Sequence, residues 1–353
     1  VHGLLDNQTG GNLLAKGAMD LLVNALDNRG GRVSGQQSLL LRGNSVDNRD
    51  GVIRASKDAT LRLAMMDNRD GLLGGAQALD LDIRQLANQK GLVSATGNLL
   101  LSADAIGNTQ GRIASQNNLG ATVGVLEQQG GELVAQGEMS LTATTLDNRS
   151  GGLVGSTKAL KLDVQSADNR GGEISSQQNL EFAGQLLDNS GGKLLAGTRL
   201  ELTIARVINQ AHGLMFAQDV RLTGARLENT QGTFAGQRSL VLQVGATPQF
   251  DGLVDNSQGR ISSEGSLSLG AQQLDNRAGS ISSAGVLQLG SGGAVLNQGG
   301  IIESGQALGL SSASLYNSQQ GLIKSQGATT LSTGLFDNTL GGRLVSSATL
   351  DLS

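Results

Sequence analysis

A repeat of roughly 20 residues runs through the whole chain and restricts what it can fold into. The hexapeptide LDNRGG at residues 26–31 returns in related form at 46–51, 66–71, 146–151 and 274–279. Seventeen copies follow one another at spacings of 20 or 21 residues, with a single spacing of 27. Their aligned central residues are Asn7, Asn28, Asn48, Asn68, Asn88, Asn108, Gln128, Asn148, Asn169, Asn189, Asn209, Asn229, Asn256, Asn276, Asn297, Asn317 and Asn338. A fixed period of this length indicates a repeat architecture rather than separate globular domains.

The pattern within one copy is that of short β-strands. Counting from the Asn, apolar residues stand two positions before it and five, eleven and thirteen after it, as at Leu79, Leu81, Leu99 and Leu101. Apolar residues two apart indicate half-buried strands and not helices. Gly stands three positions after the Asn in fifteen of the seventeen copies, where we expect it to adopt a positive φ at a corner.

These features predict an all-β fold, a parallel β-helix (β-solenoid) with three short strands and three corners in each coil. Stacked coils lie about 4.8 Å apart, so identical positions come to lie above one another. About 17 coils would form a single continuous β-helix over residues 1–353. Because the repeat is in phase at both ends, we expect this stretch to be a segment of a longer array.

The repeated Asn predicts a structural ladder along the axis. A buried Asn needs partners for both its carbonyl and its NH₂ group, and the coils above and below can supply them. The predicted ladder consists of Asn28, Asn48, Asn68, Asn88, Asn108, Asn148, Asn169, Asn189, Asn209, Asn229, Asn256, Asn276, Asn297, Asn317 and Asn338. The Asp before and the Arg after the Asn, as in Asp27 and Arg29, are expected to face outward and to neutralise each other. The alternative is a cation site along the Asp column.

Composition restricts the chemistry. The formal net charge is −4, aromatic residues make up 2%, and Cys is absent. The chain has no basic patch of the kind that nucleic-acid binding requires, so we expect no nucleic-acid partner. No apolar stretch approaches the ~18 residues of a membrane-spanning helix. His2 and His212 have no His or Cys companion, and no catalytic motif occurs, so the sequence predicts no catalytic, metal or cofactor-binding residue.

The spacing of 27 between Asn229 and Asn256 predicts a loop that leaves the regular coils at residues 245–252. This stretch holds the only Pro of the chain, Pro248, together with Phe250. Proline is excluded from central strands, and loops on rigid scaffolds often carry function. Pro248 and Phe250 are therefore the candidates for a binding loop, and a passive excursion is the alternative.

The unit with L-D-N near one corner, G-G after it, and then I-x-S/A and L-x-L resembles the haemagglutinin repeat of filamentous-haemagglutinin-type exoproteins. The resemblance covers nearly all of residues 1–353 and includes six D-N-R tripeptides in register. Departures from the pattern occur at Ala87, Gly107, Gln128, Ile208 and Leu296, where we expect local irregularity only.

The resemblance implies a right-handed parallel β-helix in a large secreted bacterial protein. It implies export by two-partner secretion through an outer-membrane transporter, and a place on the outer cell surface facing host or neighbouring bacterial cells. Members of the family include adhesins and the stalks of contact-dependent growth-inhibition toxins. We therefore expect a structural rod or stalk segment that serves adhesion or presents a distal domain. The alternatives are a carbohydrate-active β-helix enzyme, which needs acidic residues in a loop-walled cleft, and a receptor-binding segment that uses the 245–252 loop.

Overall fold

A computed structural model describes residues 1–245, 247 and 249–353 of the chain. Contacts between Cα atoms divide the chain into two compact units, Val1–Gln178 (unit 1) and Asn179–Ser353 (unit 2), which are described separately. All regular elements of the described residues are β-strands. That part of the chain contains no helix long and apolar enough to cross a membrane. A single continuous β-helix over 1–353 stays a prediction.

Unit 1 opens with the short strand β1 (Leu4–Asp6) and then alternates strands of four and nine residues. The four-residue strands are β2 (Asn12–Ala15), β4 (Arg32–Gly35), β6 (Val52–Ala55), β8 (Leu72–Gly75), β10 (Leu92–Ala95), β12 (Arg112–Ser115), β14 (Glu132–Ala135), β16 (Leu153–Ser156) and β18 (Glu173–Ser176). The nine-residue strands are β3 (Met19–Asp27), β5 (Leu39–Asp47), β7 (Ala59–Asp67), β9 (Leu79–Ala87), β11 (Leu99–Gly107), β13 (Leu119–Glu127), β15 (Met139–Asp147) and β17 (Leu160–Asp168). One strand of each kind forms one coil.

The nine-residue strand contains the second and third of the three strands expected per coil. Pairing of β3 with β5 joins Val23 to Gly43 and then Ala25 to Ser45, so the register passes over one residue in each strand. The inward-facing phase of the side chains changes at this point. The third corner of unit 1 is therefore a bend inside a continuous strand. Because the inward phase changes at this bend, the sequence pattern alone suggests two separate strands. The strand is nevertheless continuous, since no residue is inserted there.

Unit 2 begins with the same kind of coil and ends with coils of three strands. Its strands are β19 (Leu180–Asp188), β20 (Lys193–Ala196), β21 (Arg199–Ile208), β22 (Leu214–Gly224), β23 (Arg226–Glu228), β24 (Thr233–Val244), β25 (Leu253–Asp255), β26 (Arg260–Ser263), β27 (Ser266–Ala271), β28 (Gln273–Asp275), β29 (Ser280–Ser283), β30 (Leu287–Ser291), β31 (Ala294–Leu296), β32 (Ile301–Ser304), β33 (Leu308–Ser312), β34 (Ser314–Tyr316), β35 (Leu322–Ser325), β36 (Thr329–Thr333), β37 (Phe336–Asp337), β38 (Arg343–Ser346) and β39 (Leu350–Leu352). The bend is first broken at Ala225, between β22 and β23. From β25 onward a break of one or two residues separates the strands, so each of these coils has the three separate strands expected.

Each unit is a parallel β-solenoid. Strands of successive coils pair in parallel, and the register joins residues 20 or 21 positions apart over most of each unit. Identical positions therefore lie above one another and form columns. The column of Val33, Ile53, Leu73, Val93 and Ile113 is 0% exposed. Each such side chain contributes roughly 1.5–3 kcal/mol through the apolar surface that it removes from water.

Candidate functional site: the asparagine ladder and the 245–252 loop

Each repeated Asn directly follows a strand and turns its side chain into the solenoid. The backbone keeps it in the sheet, since the amide of Asn48 donates to the carbonyl of Asp67 on the next coil at 2.7 Å. Its side chain is 0% exposed, as are those of its counterparts in both units, apart from Asn7 at 6% and the half-buried Asn338. A primary amide in such a position must find all its partners within the protein.

The side-chain amides bond to one another in a fixed direction. Asn48 Nδ2 donates to Asn68 Oδ1 at 2.7 Å, and also to the carbonyls of Gly51 and Leu72 at 3.3 and 3.2 Å. In unit 1 the same donation joins Asn7, Asn28, Asn48, Asn68, Asn88, Asn108 and Gln128 in turn, and then Asn148 to Asn169. In unit 2 it joins Asn189, Asn209, Asn229, Asn256, Asn276, Asn297, Asn317 and Asn338. Every donor amide points to the coil that follows it in the sequence.

The ladder of unit 1 is interrupted after Gln128. Its Oε1 accepts from Asn108 Nδ2 at 2.7 Å, but its Nε2 donates to the carbonyl of Leu153 at 3.1 Å. Asn148 Oδ1 is buried and has no hydrogen-bond partner. The substitution at Gln128 is visible in the sequence, whereas the partnerless oxygen on the next coil is visible only in the structure.

The Gly that follows the Asn by three positions has a different role from the one expected. In regular coils the positive φ belongs to the residue before it, as at Asp50 (55°), Asp70 (56°) and Gln110 (56°). A Cβ on Gly51 would lie 2.2 Å from the carbonyl oxygen of Asn28 on the preceding coil. In these coils close approach of two coils, and not left-handed backbone, therefore requires Gly at this position, whereas Gly10, Gly151 and Gly341 do adopt the expected positive φ.

The Asp and Arg that flank the Asn form ion pairs on the outer surface. Arg49 Nη2 lies 2.6 Å from Asp47 Oδ2, and its Nε lies 3.6 Å from Asp67 Oδ2 on the next coil. Similarly, the side-chain hydrogen bond from Arg29 lowers the pKa of Asp27, against the opposing effect of desolvation. The Arg side chains are about two-fifths exposed, so each pair contributes little to stability. Among the residues that the structure describes, no group of three or more His, Cys, Asp or Glu could hold a metal ion.

The 245–252 loop is tied to the solenoid at its second half. Arg226 Nη1 donates to Asp251 Oδ1 at 3.0 Å, and its Nε donates to Glu228 Oε1 at 2.7 Å. Thr247 and Phe250 exchange backbone hydrogen bonds of 2.8 and 3.2 Å. Phe250 is half-buried and Thr247 is exposed. Pro248 lies outside the described residues, and a binding role for this loop stays a prediction.

An open groove of about 600 Å³ crosses the short strands of unit 2. Phe216 lies at one end, where it is 37% exposed, and Ser262 and Ser282 contribute to the lining. The lining carboxylates are Glu264 and Glu303, and Glu303 Oε1 accepts a hydrogen bond from Lys324 Nζ at 2.9 Å. No sequence pattern indicates this groove, because its residues belong to six coils and share no motif.

The haemagglutinin repeat family matches the chain in seven overlapping stretches, residues 1–64, 55–123, 94–150, 128–203, 199–249, 242–299 and 290–353. Together these stretches include every residue of the chain. No curated protein matches the chain, and no solved structure matches it. The seven matches agree with the repeated coils and with the resemblance read from the L-D-N and G-G motifs. This chain therefore belongs to the haemagglutinin repeat family.

Proposed function

We propose that this chain is a structural segment of a secreted bacterial surface protein of the adhesin type, and that its units act as stiff spacers. The observation that carries the proposal is the ladder of buried Asn amides inside a parallel solenoid. Coils of this kind touch only their neighbours, so the unit resists bending through the sum of its coil-to-coil interfaces. Membership of the haemagglutinin repeat family supports the adhesin context.

The outer surface favours a spacer over a catalyst. Its most regular charged features, the Asp–Arg pairs such as Asp27 with Arg29, cancel their own charge. In the groove of unit 2, Glu303 likewise forms an ion pair with Lys324. A carbohydrate-active enzyme is therefore the weaker candidate. The resemblance adds export through an outer-membrane two-partner secretion transporter and contact with host or neighbouring bacterial cells as proposals for the full-length protein.

A second candidate function is receptor binding by the 245–252 loop. It is favoured by one observation: Thr247 is exposed, while Asp251 fixes the second half of the loop to Arg226. A loop anchored in this way could present side chains in a constant position on a rigid scaffold. The same anchor also fits a passive excursion, so the two candidates differ only in whether binding is observed.

The test is binding of the purified chain to host cells and to bacterial cells. Phe250→Ala alters the loop, and Phe216→Ala is the matched control because Phe216 is also partly exposed but lies on strand β22. No binding by the unaltered chain supports a spacer. Binding that is lost in Phe250→Ala and kept in Phe216→Ala contradicts a pure spacer and establishes the loop as a recognition element. Binding kept in both variants contradicts a pure spacer too, and assigns adhesion to another surface of the units.

A further inference from the structure

One contact between successive coils of unit 1 lacks the buried hydrogen bond between ladder amides that the other contacts of the unit have, although Gln129 Nε2 still donates to Asp147 Oδ2 at the surface. At a regular contact, Asn68 Nδ2 reaches Asn88 Oδ1 at 2.7 Å and the carbonyls of Gly71 and Leu92 at 3.3 Å. At the contact between the coil of Gln128 and the coil of Asn148, the amide nitrogen reaches only the carbonyl of Leu153.

The backbone at this contact is intact. The amide of Gln128 donates to the carbonyl of Asp147 at 2.7 Å, and that of Leu153 donates to Gly131 at 2.9 Å. Strands β13 and β15 pair on the long faces with the same register and the same bend as in the other coils of unit 1, and β14 and β16 pair without interruption on the short faces. The defect is therefore confined to a buried amide oxygen, Asn148 Oδ1, that has lost its donor.

The extra residue in the following corner is not the cause. Ser150 and Gly151 both have positive φ because the corner after Asn148 is one residue longer. In unit 2 the corner after Asn209 is lengthened in the same way, and there Asn189 Nδ2 still donates to Asn209 Oδ1 at 2.8 Å. The replacement of Asn by the longer Gln128 is what removes the bond.

We propose that the contact between the coils of Gln128 and Asn148 is a built-in opening point of unit 1. In a solenoid the free energy of folding is a sum of terms for single coils and terms for contacts between neighbouring coils. The unit therefore separates most readily at a contact that is weaker than the others. A buried acceptor without a donor weakens this contact by an amount that corresponds to a factor of about 5–150 in an equilibrium constant. Separation of the unit between these two coils is favoured by that factor over separation at a regular contact such as the one between the coils of Asn68 and Asn88.

The test is native-state hydrogen exchange of the full chain, followed by mass spectrometry at low guanidinium concentrations. Peptides covering 127–131 and 152–154 report the proposed opening point, and peptides covering 67–71 and 91–93 report a regular contact. Gln128→Asn restores the usual residue, and Asn68→Gln transfers the defect to the regular contact. Protection that falls with denaturant distinguishes separation of coils from a local fluctuation, which exposes little surface.

We expect the first pair of peptides to exchange about 5–150 times faster than the second in the unaltered chain. Gln128→Asn should bring the two pairs to similar rates, and Asn68→Gln should accelerate exchange at 67–71 and 91–93. Equal protection at both contacts in the unaltered chain would overturn the proposal, as would exchange at the Gln128 contact that does not respond to denaturant. If Gln128→Asn does not fold, Asn68→Gln decides alone. Unchanged exchange at 67–71 and 91–93 in Asn68→Gln would then overturn the proposal.

Discussion

Replacing Asn68 by Asp tests whether the ladder depends on its amide hydrogens, since the substitution keeps the shape of the side chain and removes its NH₂ group. Asn68 is 0% exposed. In Asn68→Asp the lost NH₂ leaves an oxygen facing Asn88 Oδ1 and the carbonyls of Gly71 and Leu92, all of which are acceptors. Among the described residues, the one donor to the Asn68 side chain is Asn48 Nδ2, which bonds to the existing oxygen Oδ1 at 2.7 Å. The ionised form is therefore disfavoured both by burial and by its neighbours.

The size of the effect follows from this surrounding. Burial raises the pKa of a carboxyl by up to about three to five, and each unit corresponds to about 1.4 kcal/mol. We expect a loss near the lower end, about 4 kcal/mol at neutral pH, because the donor Asn48 partly offsets the desolvation of the charge. Below the unfolded-state pKa of about 3.9 both states are protonated, and this penalty is absent. The loss grows as the pH rises and becomes constant once the pH exceeds the raised pKa of the folded state.

The assay compares guanidinium midpoints, measured by circular dichroism, for Asn68→Asp and the unaltered chain at about pH 4 and about pH 7.5. Asn44→Asp is the matched control, because Asn44 is exposed on the outer face of strand β5. We expect the control to change stability by less than ~0.5 kcal/mol at either pH. A loss in Asn68→Asp that is the same at both pH values, or no loss at neutral pH, would refute the assignment of the amide hydrogens as necessary donors.

Further substitutions test other parts of the structure. Leu101→Asp places a charge without a partner in a core position that is 4% exposed, so the melting temperature should fall by several degrees, and an unchanged melting curve would contradict the packing. Gln110→Gly relieves a φ of 56° and should stabilise unit 1 by about 1 kcal/mol in denaturant titration, whereas destabilisation would show that the corner is unstrained. Because the side-chain hydrogen bond from Arg149 lowers the pKa of Asp147, this bond should stabilise the fold above about pH 4 and lose its effect as the pH falls through the lowered value. Asp147→Asn should therefore lower the melting temperature at neutral pH and matter less in acid; the same effect at all pH values would argue against the pairing. Deletion of residues 245–251 restores a spacing of 20 and should leave the β-sheet signal in circular dichroism unchanged, unless the loop is itself part of the fold.

The sequence was sufficient to predict the solenoid because the period and the inward columns are both encoded residue by residue. The alternation at Leu79 and Leu81 specifies a strand, and a repeat of 20 places Leu101 above Leu81, as strands β9 and β11 show. A one-residue slip would turn both side chains outward, so the register has no close competitor. The corners absorb the occasional extra residue and leave the strands unchanged.

The details that sequence reasoning did not obtain depend on contacts between coils. Gly51 is required because a Cβ there would clash with the carbonyl oxygen of Asn28 on the coil before it. The sequence of a single copy of the repeat does not indicate how close the two coils lie. The bend at Asn44 needs no Gly, Pro or extra residue, because the strand pairing resumes in the same register directly after it. The partnerless Asn148 Oδ1 arises from a substitution 20 residues earlier, and the groove beside Phe216 combines residues from six coils.

The exact superposition of residues 20 apart between Asn28 and Asn108 has a consequence for how such a chain changes over generations. Unequal recombination between two copies of the repeat removes or adds a whole period, wherever within the period the exchange occurs. The recombined protein keeps every inward column and every amide donor in place. Each position on either side of the recombination point still lies next to the equivalent position of the neighbouring coil. A gene for this fold can therefore lengthen or shorten its product in increments of one coil, about 4.8 Å, without passing through a form that does not fold.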